Sequence, residues 1–219
     1  MLDSINFIDL FIKLSAFLIA VIGHEIMHGL VALKYGDTTA KLANRLSINP
    51  IKHLDMFGSV ILPLTLFLLQ SPFLFGWAKP VPVDIGRVIE RGGYNAAIFV
   101  SLAGITYNIC MALLAMILLR IVLSQDIIDG KIFEYFLYFF IVYNVVLAIF
   151  NLFPIPPLDG SQALGYLSLK FGNDKIPIFF NSIERYGFII IMLLLFFCAD
   201  ILMIPIIFVI KLIMLGALI

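Results

Sequence analysis

An all-α membrane protein with several crossings is the fold class this sequence predicts, and three observations carry that reading. Hydrophobic residues make up 63% of the 219 and charged residues 13%, against about 45–50% and about 25% in a soluble domain; the mean hydropathy is +1.12. The apolar residues come in runs long enough to cross a bilayer, which takes about 20 helical residues. Proline, glycine and charge gather between the runs. Net charge is zero and there is no basic tail, so nothing points to nucleic acid; the partner implied is a lipid bilayer. Cys110 and Cys198 both lie in apolar runs and read as buried thiols rather than a disulfide. Met1-Leu2-Asp3-Ser4 has no basic stretch and no small-residue cleavage pattern, so the first helix is expected to be retained. No internal repeat is evident.

Met1–Leu33 reads as one helix, apolar from Phe7 onward and about 40 Å long over that part at 1.5 Å per residue. Inside it stands His24-Glu25-Ile26-Met27-His28, an H-E-x-x-H pattern. Helical residues four apart are offset by only about 40°, so the two imidazoles point the same way and can share one metal ion, with Glu25 beside them as a base within reach of water. A polar cluster packed only for helix association is the plainer alternative. Two imidazoles and a carboxylate in a membrane-length helix are costly, however, and call for a functional reason. The motif lies roughly 14 Å inside the Leu33 end, so a polar channel must lead water to it.

Lys34–Met56 is polar, and Thr38–Ile48 within it is expected to form one or two short strands. His53 reads as an interfacial polar residue rather than a ligand. Phe57–Phe75 is apolar but carries Gly58, Pro63, Gln70, Ser71 and Pro72, and is barely long enough to span. Gly76–Gly93 is polar again, with Pro80 and Pro82 favouring extended backbone. Tyr94–Leu123 is a long apolar helix with Gly104 and Asn108 on one face; Ser124–Lys131 is a turn; Ile132–Phe153 is the next spanning helix. Pro154, Pro156 and Pro157 then end that helix, and Asp159-Gly160 follows. A helix stop and turn would explain that stretch, but irregular backbone at membrane depth is tolerated where it lines a cavity, and Asp159 is the candidate third metal ligand. Ser161–Tyr186 reads as interfacial. Gly187–Ile219 is one spanning helix with a tail or two short helices, and Asp200 reads as the break between helices.

Topology follows from asking one ion to reach His24, His28 and Asp159 together. The first helix and Ile132–Phe153 must then run parallel, which requires Phe57–Phe75 to enter the membrane and return on the same side. Charge gives a second check. A full crossing divides the flanking Lys and Arg six to six; a re-entrant segment divides them ten to two, and the positive-inside rule then puts the motif side in the cytoplasm. The expected fold is a three-helix catalytic core, a small membrane-associated β or re-entrant element after the first helix, and a C-terminal helix or helices. It forms one domain over residues 1–219, with the core at about 5–165 and the helical remainder at 166–219.

Two motifs together resemble the site-2 protease family of intramembrane zinc metalloproteases: His24-Glu25-Ile26-Met27-His28 and Asn151-x-x-Pro154-x-Pro156-x-Leu158-Asp159-Gly160. The Asn44–Asp55 and Phe75–Val83 stretches resemble its short bacterial branch, and the likeness covers about residues 15–165. The resemblance implies one Zn2+ per chain held by His24, His28 and Asp159, Glu25 as catalytic acid and base, and Asn151 contacting a substrate carbonyl. The substrate it implies is the transmembrane helix of another membrane protein, in a cell-membrane enzyme whose site faces the cytoplasm. Where the family often has Gly-Pro-x-x-Asn, this chain has Gly104-Ile105-Thr106-Tyr107-Asn108; only a local kink rests on the missing proline. No PDZ or CBS domain is expected within these 219 residues. The rival readings are a metal-ion transporter, a catalytically silent zinc-binding membrane protein, and a prenyl-peptide protease with a later Glu ligand. An extended edge at Thr38–Ile48 or Gly58–Leu62 is the place expected to hold an unwound substrate.

Overall fold

The computed structural model describes residues 7–69, 76–124, 131–197 and 199–218. Helix α1 spans Phe7–Lys34, with Asp9 in its first turn and Lys34 in its last, the signs that complement the helix dipole. A single turn, α2 (Thr39–Leu42), and a 3-10 turn at Pro50–Lys52 follow. A π-helical stretch, Met56–Ile61, runs straight into α3 (Leu62–Leu68). Helix α4 (Ile85–Ser124) is broken at Gly93, whose φ of 65° and ψ of −169° place it where glycine is favoured. Helix α5 is Lys131–Leu152, α6 Asp159–Lys170, α7 Lys175–Glu184, α8 Gly187–Phe197 and α9 Ala199–Leu218.

Helices α1, α4 and α5 pack on one another, α6 closes against α4, and α9 lies along α4 and α5. Small residues on α1 and α4 let neighbouring backbones approach closely: Ala16, Ala20, Ala96, Ala97, Ala112 and Ala115 are essentially inaccessible. The other faces of these helices expose large apolar residues such as Phe11, Ile19, Phe99, Ile117 and Phe133, a surface suited to lipid rather than water. Four helices, among the described residues, are long and apolar enough to cross a bilayer: α1, α4, α5 and the Asp200–Ala217 part of α9. The chain is a multi-pass membrane protein.

Side-chain contacts fix the helix directions. At one end of the bundle Tyr135 donates to Asp9 at 2.6 Å; at the other, His24 and His28 meet Asp159, seven residues past the end of α5. Helices α1 and α5 are therefore parallel. Asn108 of α4 reaches Ala20, whereas Val100, earlier in α4, reaches His28, so α4 runs against both. The connector from 35 to 84 consequently leaves and rejoins the bundle at the same end.

That connector contains no strand among its described residues. Thr38–Ile48, expected to form one or two strands, instead holds the helical turn Thr39–Leu42 followed by irregular chain. The reason is local: the Asp37 carboxylate accepts from the Thr39 N–H at 2.9 Å and from the Thr39 hydroxyl at 2.5 Å, a bond that competes with strand pairing. Asn44, at φ 56°, then turns the chain out of the helix. Of Phe57–Phe75, residues 57–68 are helical, 69 is a turn and 70–75 lie outside the described residues, as do Met1–Asn6, 125–130 of the expected turn, Cys198 and Ile219. Beyond that gap the Trp77 N–H donates to the Gly58 carbonyl at 3.2 Å, and the Ser59 hydroxyl donates to the Trp77 carbonyl at 2.7 Å; the excursion closes on its own start. Cys110, expected to be buried, is exposed. It lies beside Ile109 and Leu113 on an outward face of α4, and an apolar run does not reveal which of its faces meets lipid. Asp200 falls in the first turn of α9, and Cys198, between α8 and α9, lies outside the described residues.

Asp37 also ties the two ends of the connector, because its second oxygen accepts from the Asp84 N–H at 2.7 Å, just before α4. Burial alone would push its carboxyl up, but the bonds from Thr39 and Asp84 outweigh that and hold it below the ordinary carboxylate value. A group whose folded-state pKa is lowered stabilises the fold above its unfolded value and loses that contribution as pH falls through the folded value. Asp37→Ala is thus expected to lower stability by about 1–3 kcal/mol, measured by thermal unfolding in detergent at neutral pH. The difference from wild type should vanish in acid below the usual carboxylate range.

Candidate active site

Helix α1 carries His24 and His28 one turn apart on its inward side, and the proline-broken stretch after α5 delivers Asp159 as the first residue of α6. Gly160 makes that delivery possible: a Cβ there would collide with the Leu152 carbonyl. His24 Nε2 lies 3.0 Å and His28 Nε2 3.3 Å from Asp159 Oδ2, and the two ring nitrogens are 3.1 Å apart. Asp159 Oδ2 is buried and has no hydrogen-bond partner.

The opposite edges of both rings fix their protons. His28 Nδ1 faces the Val100 carbonyl at 2.7 Å, a pure acceptor, so Nδ1 carries the hydrogen. His24 Nδ1 faces Asn108 Oδ1 at 2.6 Å. The Asn108 amide is oriented by its own donations, to the Ala20 carbonyl at 3.3 Å and to Asn144 Oδ1 at 2.9 Å, so its oxygen must face His24, and His24 Nδ1 is also the donor. With both rings neutral, the two Nε2 atoms present bare lone pairs to each other and to a carboxylate oxygen, an arrangement stable around a cation. Ligands about 2.0–2.1 Å from a tetrahedral ion stand ~3.3 Å from one another, which the observed separations match. Among the described residues this is the group of three His, Cys, Asp or Glu side chains that could hold a metal ion.

Glu25 points to the same space from the same helix. Its Oε2 accepts from the Val81 N–H at 2.9 Å. The donor lies on the non-helical segment 76–83, itself pinned along its length: the Lys79 N–H donates to the His53 carbonyl at 2.9 Å, and Arg45 donates to the Lys79 carbonyl at 2.6 Å. A cavity of about 610 Å³ opens over His24, Glu25, His28 and Asp159, walled by this segment and by Asn151. Asn151 donates one amide hydrogen to Leu147 of its own helix at 3.0 Å.

His53 is fully buried and outside the metal group. Burial holds its pKa below the ordinary imidazole value, and the neutral ring donates from Nε2 to the Ser47 carbonyl at 2.7 Å. Its own carbonyl accepts from Lys79, so it anchors the segment that carries Glu25's donor. Three groups escaped the sequence reading: the Val81 N–H, the Val100 carbonyl and Asn144. The pairing of Gly104 with Asn108 on one face was the available signal for the His24 contact.

A multi-pass helical membrane protein with a His-His-Asp group and a glutamate in H-E-x-x-H defines the class of membrane zinc metallopeptidases. Residues 121–195 match the family model described as Peptidase family M50. The chain is 36% identical over 175 residues to YwhC of Bacillus subtilis, whose name provisionally describes a zinc metalloprotease, covering 78% of this chain and 74% of that protein. It is 26% identical over 193 residues to Rip2 of Mycolicibacterium smegmatis, similarly named, covering 87% and 69%. No solved structure matches significantly. The chain belongs to peptidase family M50, the site-2 protease family, and is a zinc metallopeptidase.

Gly104 sets the room available to His24: a Cβ there would fall 2.5 Å from the ring's Nε2. Gly→Ala inside a helix ordinarily favours the helix by about 1 kcal/mol. Gly104→Ala is nevertheless expected to displace the ring and weaken zinc retention by about tenfold or more, measured by competition with a chelator.

Proposed function

We infer that this protein is an intramembrane endopeptidase that cuts within or beside a transmembrane segment of another membrane protein, as in regulated intramembrane proteolysis. The observation that carries the reading is the convergence of His24, His28 and Asp159 in a cavity shared with Glu25, inside a bundle with apolar outer faces. In this reading His24, His28 and Asp159 hold the zinc ion, and the whole chain acts as one membrane-embedded domain. Bound zinc supplies a Lewis acid that activates water and polarises the scissile carbonyl. Glu25, steadied by the Val81 N–H, takes a proton from the attacking water as the new C–O bond forms. It returns that proton to the amide nitrogen as the C–N bond breaks, leaving a carboxylic acid and an amine. The remaining amide hydrogen of Asn151 is available to the carbonyl oxygen.

A helical peptide bond is shielded by its own hydrogen bonds, so the substrate must unwind before it enters the cavity. The non-helical segment 76–83 is a surface along which unwound chain can lie. The same-end connector and the ten-to-two charge division support a 57–75 segment that dips into the bilayer and returns, with the active site toward the cytoplasm. A transporter would need a relay, and no second group suited to a metal is found among the described residues.

Purified protein reconstituted with a panel of single-pass membrane proteins tests the assignment. Glu25→Gln is expected to keep its zinc and lose cleavage by at least about 100-fold; cleavage near wild type would remove Glu25 from the chemistry. Asp159→Ala should lose zinc and activity together, and full zinc occupancy would dismiss it as a ligand. For orientation, a cysteine at the exposed Lys79 should react with an impermeant thiol reagent only from the cytoplasmic side, and labelling confined to the outer face would reverse the topology.

A further inference from the structure

Two asparagines lie fully buried between α1, α4 and α5, at 0% exposure each. Asn108 touches His24 directly. Asn144 touches nothing in the cavity, and the chemistry above makes no use of it. An unpaired primary amide in an apolar bundle is costly, yet every contact of Asn144 points one way. Its Nδ2 donates to the carbonyl of Phe140, one turn back on α5, at 2.7 Å. That bond fixes the rotation of the amide, so Oδ1 must face α4, where it accepts from Asn108 Nδ2 at 2.9 Å. Asn108, with its NH2 group held by Asn144 and Ala20, turns its own oxygen to His24. The relay reads in one direction: a backbone carbonyl of α5 orients Asn144, Asn144 orients Asn108, and Asn108 demands a hydrogen on His24 Nδ1.

We propose that Asn144 is a positioning residue of the metal centre, selecting through Asn108 the His24 tautomer whose Nε2 is free to bind zinc. The proposal rests on the metal-site reading above and adds to it a group on a third helix, remote from the ion. Without Asn144, the Asn108 amide keeps only its longer bond to Ala20 and loses the shorter of the two contacts that oppose a flip. A flipped Asn108 presents NH2 to His24 Nδ1, which stabilises the opposite tautomer and puts the hydrogen on the metal-facing nitrogen. The consequence appears in metal affinity before it appears in rate.

The test measures zinc affinity of detergent-purified full-length protein by chelator competition. Asn144→Leu, similar in size and without polar atoms, is expected to weaken zinc binding by roughly 10- to 100-fold. Asn144→Asp, which as a neutral acid can still donate to Phe140 and accept from Asn108, should recover most of the loss. Ile141→Ala, a cavity in the same helix at an equally inaccessible position, should lower thermal stability and leave zinc affinity unchanged. Should Asn144→Leu fail to yield folded protein, Asn144→Ser carries the same comparison, since its hydroxyl can bond Phe140 but is too short to reach Asn108. Wild-type affinity in the Leu or Ser variant, equal loss in Ile141→Ala, or no recovery in Asn144→Asp would overturn the proposal. Asp159→Ala run alongside separates the two levels: zinc retained there sinks the metal-site reading itself, whereas zinc lost there but kept in Asn144→Leu sinks only the role of Asn144.

Discussion

Three electron-rich atoms within 3.3 Å of one another, in a bundle whose outer faces are hydrocarbon, are the constraint from which the rest of the structure follows. Such a cluster is tolerable only around a positive charge and only if each donor is held from behind. The supports are all present: a carbonyl of α4 behind His28, an amide of α4 behind His24, and a helix start at Asp159. Because the donors come from α1 and from the stretch after α5, those helices must be parallel, and the connector between α1 and α4 must come back to the end it left. Topology here follows from the meeting of these three side chains.

The same constraint explains where small residues fall. Gly104 stands against the His24 ring and Gly160 against the Leu152 carbonyl, the two places where a side chain would push His24 or Asp159 aside. Glycine elsewhere in a membrane helix often serves packing alone; these two make space for donors.

Much of this was legible in the residues. H-E-x-x-H on an apolar helix gives spacing and side, and three prolines before Asp159 give an interruption at the depth where an ion would sit. The helix spans follow from apolar run length. The Val81 N–H could not be foreseen, because every residue except proline carries that donor and nothing in Val81 marks it. Asn144 gave no signal in a helix read only for hydropathy. Thr38–Ile48 was misread because pattern favours strand there while a single carboxylate, Asp37, bonds the next turn. Cys110 was misplaced because a helix that is apolar all round does not say which face meets lipid.

Glu25 is held by main chain rather than by a side chain. Replacing Val81 with any residue but proline leaves that anchor in place, so random substitution has almost no way to delete it. What can undo it is displacement of the 76–83 strip as a body. The Glu25 carboxylate is thereby wired to the posture of a loop, so that whatever leans on that loop, be it cargo or membrane, moves a group that the proposed reaction needs.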